Sequence, residues 1–157
     1  MASRNLNDCV PELIAKYLLA EEKCRAIGIF LQIFCTARSV SEQAALWLQG
    51  RRPLELVNAA RRVAGLKEIS EAENRYCVTW TTKSAHIVDA TNPLSRAIDF
   101  GLKKQGINPW DLKADTNGDN EADFDQVGEI MESVGLKWGV IGADGVRKDK
   151  GHVQLAS

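Results

Sequence analysis

Residues 76–102 read YCVTWTTKSAHIVDATNPLSRAIDFGL. Two runs of β-formers, YCVTW (76–80) and RAIDFGL (96–102), flank a polar segment with turn residues, and each predicts a strand. The second run has a carboxylate at its centre. Asp99 inside AIDF is expensive to bury without a partner, so this strand is expected to carry chemistry as well as packing. Upstream the pattern changes to helical. Residues 7–27 place Leu13, Ile14, Tyr17, Leu18, Cys24 and Ile27 on or near one face, with Gly28 as a stop. IFLQIFC (29–35) predicts a short buried strand. Ser39 followed by Glu42 forms a capping box for a helix that ends at Gly50, and Pro53 opens another that ends at Gly65. Downstream, DFDQVGEIMESVG predicts a helix with Phe124, Val127, Ile130, Met131 and Val134 inward. LKWGV (136–140) and HVQLA (152–156) predict strands. Helices lead and strands mostly follow, which is the α+β order rather than βαβ alternation. The expected fold is helices packed on a short, mainly antiparallel sheet.

A chain of 157 residues suits one domain with one core. No repeat or linker divides it, so residues 1–157 are read as a single domain, with an N-terminal helix at 7–27 and a core at 29–157. Apolar residues make up 45% and charged residues 26%, the composition of a globular domain. The net charge of -1 gives no basic footprint for nucleic acid. No basic stretch followed by a long apolar run opens the chain, so neither a signal peptide nor membrane insertion is expected. A monomer made in a cytoplasm is the expected state. Cys9, Cys24, Cys35 and Cys77 match no CxxC knuckle and are expected to be reduced and buried.

There are two histidines, His86 and His152. Taken singly, each reads as an ordinary structural histidine. With Asp99 they supply two imidazoles and a carboxylate, the donor set of a catalytic zinc site that keeps a fourth position for water. Asp149 stands three residues before His152, in DKGH. A second carboxylate there could take a proton from that water.

The segment TTKSAHIVDATNPLSRAIDF resembles the S-x-H…A-x-D signature of the D-Ala-D-Ala carboxypeptidase and L-alanyl-D-glutamate endopeptidase family, to which many phage endolysins belong. GLKWG (135–139) is similar to the family's G-L-x-W-G block, and DKGH to its D-x-x-H ending. TARSVSEQAALWLQGR resembles its Arg-Ser…Gln…Gly-Arg region. The likeness runs from Thr36 to His152 with the blocks in order. It implies Zn²⁺ on His86, Asp99 and His152, with Asp149 as catalytic base. It implies a peptidoglycan endopeptidase acting on the L-Ala-D-Glu bond of the stem peptide, reaching the wall after release from the host cytoplasm. A D-Ala-D-Ala carboxypeptidase would use the same machinery. The reading from a different class is a calcium- or wall-binding module with an inactive zinc site, and Asp149 weighs against it. The chain departs from the family's H-x-x-G-x-A-x-D spacing by carrying IVDATNPLSR between the ligands, and its 53–74 stretch is long. Asp89, inside the first insert, is a rival ligand. Arg38 reads either as a group for a substrate carboxylate or oxyanion or as a surface arginine. Gln43 is expected to face solvent, and Trp138 to wall the cleft or fill the core.

DTNGDNEADFDQ (115–126) resembles an EF-hand or dockerin calcium loop, with Asp115, Asn117, Asp119, the Glu121 backbone and Asp123 as Ca²⁺ ligands. Asn120 replaces the usual glycine and Gln126 the usual glutamate. The other reading is an acidic turn at a helix N-terminus, where negative charge is favoured.

Overall fold

A computed structural model describes residues 2–156. The first long element, α1 (Pro11–Ala26), begins later than the periodicity suggests. Pro11 has no N–H to give to a preceding turn, so it takes the first helical position. Residues Leu6–Asp8 form a separate 3₁₀ turn capped by Asn5. Leu13, Tyr17, Ala20 and Cys24 make the buried stripe of α1. Strand β1 (Leu31–Cys35) and the two-residue β2 (Arg38–Ser39) follow. Ser39 then caps α2 (Val40–Leu48) in the expected box with Glu42. Pro53 is the cap residue of α3 (Leu54–Val63), one position before the helix proper.

The remaining strands are β3 (Ile87–Val88), β4 (Ala97–Leu102), β5 (Leu136–Ile141) and β6 (Arg147–Leu155), with α4 (Asp123–Ser133) ahead of β5. The main sheet has the order β1-β4-β6-β5, and every pair in it is antiparallel. A separate parallel pair joins β2 to β3. The α+β expectation therefore holds. Among the described residues no helix is long and apolar enough to cross a membrane. Cys9, Cys24 and Cys35 are buried and Cys77 half-buried, all as free thiols.

One expected strand is absent. YCVTW (76–80) runs as an extended strap without strand pairing. Tyr76, Val78 and Trp80 are exposed along it. Side chains of α2 and its end take the bonds a neighbouring strand would have made: Gln43 donates to the Thr79 hydroxyl and the Thr81 carbonyl, and Arg51 to the Thr79 carbonyl. β-propensity describes fit to a pleated surface, and no sheet edge is offered here.

The sheet has two unlike faces because successive residues of a strand point to opposite sides. Ile98, Phe100 and Leu102 of β4 face the core with Val153, Leu155, Leu136 and Trp138, against α1 and α4. Asp99 faces the other way, towards the cleft. Trp138 is thus a core residue rather than a cleft wall. Its indole N–H donates to the Lys150 carbonyl at 2.8 Å, and its ring lies against Gly128 of α4, where a Cβ would run into the indole. Gly128→Ala is expected to cost about 1–3 kcal/mol through overpacking. A lowered denaturation midpoint in urea checks this; unchanged stability would show that Trp138 has room to move.

Candidate metal centre

Cross-strand register assembles most of the site. In β4 and β6, Asp99 pairs directly with His152, and in β1 Cys35 pairs with Asp99. Directly opposed residues share a face, so Cys35, Asp99 and His152 form a row across three strands. His86 comes in from the turn before β3. Its position follows from the β2–β3 pairing, where the Arg38 N–H donates to the His86 carbonyl at 2.9 Å.

Three donor atoms converge. Asp99 Oδ1 lies 3.0 Å from His86 Nε2 and 2.8 Å from His152 Nδ1, and the two nitrogens are 3.3 Å apart. Metal–ligand lengths of about 2.0–2.1 Å at a tetrahedral angle imply edges of about 3.3 Å. The triangle is therefore slightly tighter than one face of a tetrahedral metal site. The other ring nitrogens are held as a metal site requires. His86 Nδ1 donates to the Thr36 carbonyl at 2.7 Å, and His152 Nε2 to Gln154 Oε1 at 3.0 Å. Those bonds turn Nε2 of His86 and Nδ1 of His152 towards Asp99. Cys35, His86 and Asp99 also form a group with donor atoms within 4.8 Å of one another, which could hold a metal ion. The thiol approaches His86 from the Nδ1 side, at 3.7 Å.

The second oxygen of Asp99 is held too. Arg38 Nη2 donates to Asp99 Oδ2 at 3.0 Å, and its Nη1 to Gln43 Oε1 at 3.0 Å. Arg38 is therefore largely buried against the site. Gln43 does not face solvent as the helical pattern suggested; it is 1% exposed and ties α2 to Arg38 and to the strap. Asp89 is excluded as a rival: it is exposed, and its carboxylate accepts from the N–H groups of Thr91 and Asn92.

Burial acts against charge on these groups, and mutual contact overrides it. Burial pulls the His86 imidazole towards neutrality, but the Asp99 carboxylate holds its pKa up at about 10. Burial would raise the Asp99 carboxyl, yet hydrogen bonds from His152 and His86 hold it below the usual carboxylate range. The site thus demands a positive charge among its lone pairs, whether a proton or a cation.

Asp149 stands on the wall of the same cleft, about 850 Å³ in volume, with Arg38, His86, Asp99 and His152. A regular strand would send residues 149 and 152 to opposite faces, since they are an odd number apart. A bulge corrects this. The β5–β6 register slips between Trp138 and Val140, and Asp149 takes a left-handed φ of 55° opposite Gly139 at 57°. A Cβ at residue 139 would press on the Lys148 carbonyl at 2.6 Å, so glycine suits both the conformation and the contact. Crowding by the cleft wall raises the Asp149 carboxyl; His152 opposes the rise and the Asp99 charge adds to it.

The acidic loop lies apart from this cleft. Asp115 accepts from the backbone N–H groups of Gly118, Asp119 and Asn120, and Asp119 accepts from Glu121 N–H, Asn117 and Gln126. Asn117 also donates to the Ile27 carbonyl. Asn120 has a φ of 70°, the left-handed conformation expected at that loop position. Asp123 is fully buried, with Oδ2 accepting from Thr116 and Oδ1 without a hydrogen-bond partner.

Sequence reasoning missed Cys35, the Thr36 carbonyl and Gln154. Gln154 had a faint signal, since it follows His152 by two and so shares its face. The other two follow from strand register, which a single sequence does not display. No protein-family model matches the chain, and no curated protein matches it.

A metal ion on His86 would compete with the proton that the Asp99 carboxylate favours there. The His86 pKa is raised from 6.5 to about 10, so its contribution to stability is full below pH 6.5 and is lost as pH rises through about 10. Metal-ion binding near pH 8 should release about one proton from His86 and tighten about tenfold per pH unit up to that pKa. Calorimetry in buffers of different ionisation enthalpy reads the proton directly. A buffer-independent heat would contradict protonation of His86.

Proposed function

We propose that the protein is a zinc-dependent peptidoglycan endopeptidase of the phage-endolysin kind, cutting the L-Ala-D-Glu bond of the stem peptide. The observation that carries this reading is the convergence of His86 Nε2, Asp99 Oδ1 and His152 Nδ1 in a cleft that also holds Asp149. His86, Asp99 and His152 would hold the ion, with Cys35 outside the set because His86 Nδ1 is already committed to Thr36. When bound, the ion acidifies water to a pKa of about 7 and polarises a carbonyl.

The residues of the chain do the rest. Asp149 accepts a proton at its carboxylate and returns it to the leaving amine. Its carboxyl is exposed at the cleft and shifted upward, which suits proton uptake. Arg38 keeps Asp99 ionised and in one rotamer, and from the cleft wall it can meet an anionic group of the substrate. Gln43 fixes the guanidinium from behind. The carboxypeptidase alternative shares all of these groups. The endopeptidase reading is preferred on the small single-domain build, which suits a phage lysis enzyme. A carboxylate on the same cleft wall as the donors supports an enzyme over a passive binding module.

We assign Ca²⁺ to the acidic loop as a structural ion, with the buried unpartnered Asp123 Oδ1 as the supporting observation. The loop opens α4, which packs on β5 and β6. Calcium would thus steady the strands that carry Asp149 and His152.

Asp149→Asn preserves shape and removes the base. It is expected to keep zinc and lose ~10²–10⁴-fold in turnover on purified sacculi. A zinc-loaded variant with near-normal turnover would remove Asp149 from the mechanism. Calcium is tested separately, by calorimetric titration of the zinc-loaded protein. Heat of binding that disappears in Asp115→Ala with Asp119→Ala supports the loop; no heat at millimolar calcium ends the assignment.

A further inference from the structure

The strap over the cleft leaves its largest side chain outside the packing. Trp80 is 82% exposed, on the wall of the cleft that contains His86 and Asp99. Leaving so large an apolar ring in water forfeits the burial that usually places tryptophan. Yet the backbone on both sides of it is pinned. Gln43 Nε2 donates to the Thr81 carbonyl at 2.7 Å and to the Thr79 hydroxyl at 3.0 Å. Arg51 Nη2 donates to the Thr79 carbonyl at 3.0 Å, and its Nη1 to the Trp47 carbonyl at 2.6 Å. The same guanidinium lies 5.7 Å from the Trp80 ring centroid and 4.8 Å from that of Trp47. One face of the indole thus rests on a fixed cation, and the rest of the ring is open to the cleft mouth. Such a ring is preorganised and loses little freedom when a ligand covers it.

We propose that Trp80 is a stacking platform for a pyranose ring of the glycan strand that bears the stem peptide. The proposal rests on the peptidoglycan reading and names a subsite for it. Alanine, glutamate and a diamino acid, the residues of a stem peptide, offer no broad apolar face. A pyranose does, through the C–H groups on one side of its ring. Those C–H groups gain from contact with an aromatic π face, and the cation under the indole holds that face in place.

Two measurements test this. In the first, the disaccharide of N-acetylglucosamine and N-acetylmuramic acid is titrated into the protein while the heat of binding is followed by calorimetry. The parent should respond with saturation, and Trp80→Ala should weaken binding roughly tenfold, with Trp80→Phe restoring most of it. In the second, kcat/KM is compared on a disaccharide-tetrapeptide and on the free tetrapeptide. Trp80→Ala should lose roughly tenfold more on the sugar-bearing substrate, in KM rather than kcat. Equal losses on both substrates would overturn the proposal, as would a parent protein that does not bind the disaccharide. If the parent cleaves neither fragment, the peptidase reading fails and the calorimetric titration alone decides the platform. Unchanged zinc affinity in Trp80→Ala controls for damage to the centre.

Discussion

Asp99 is a carboxylate held on both of its oxygens, and the cleft is arranged around that fact. Oδ1 meets two imidazoles, Oδ2 meets a guanidinium, and the four side chains come from β4, the turn before β3, β6 and β2. A charge in such a place is tolerated only when each lone pair has a partner. Removing any one partner would leave the others paired imperfectly in a half-dry site. The contact thus ties together segments that are far apart in the chain. It also explains why Arg38 is turned inward, although its place before a helix would suit a surface arginine.

The second constraint is the parity of the strand. His152 must share a face with Asp99, and Asp149 must reach the same cleft from an odd number of residues away. The bulge at Asp149 and Gly139 solves this at the expense of a left-handed aspartate. Strain of about 1–3 kcal/mol at a non-glycine residue of this kind persists only where the surroundings over-determine it. Trp138 provides part of that determination from the core side, through its bond to Lys150 and its seat on Gly128. The core and the chemistry therefore meet at one strand. The tryptophan of GLKWG serves the cleft without touching it.

The strap and α2 show a related division of labour. Gln43 is a buried polar residue with its amide oxygen on Arg38 and its nitrogen on the strap. It links the group that orients Asp99 to the segment that forms the opposite wall. A buried amide is tolerated when it is fully bonded, and then it rigidifies what it touches.

Much of this was legible in the chain. The order of helices and strands, the Ser39–Glu42 box and the inward stripe of α4 are local patterns, and local patterns appear in sequence. Candidate donors were readable because there are two histidines and because an aspartate inside an apolar strand demands a partner. Other features depended on tertiary contact. YCVTW has strand-forming residues, but strands need an edge to pair with, and the fold gave that segment side chains of α2 instead. Gln43 looked solvent-facing because helical periodicity cannot show that a loop will cover it. Cys35, Thr36 and the bulge at Asp149 depend on register between distant strands. Register is set by which faces the core buries, so residue types and spacing nominated the donors, and only the packed sheet brought their atoms to one point.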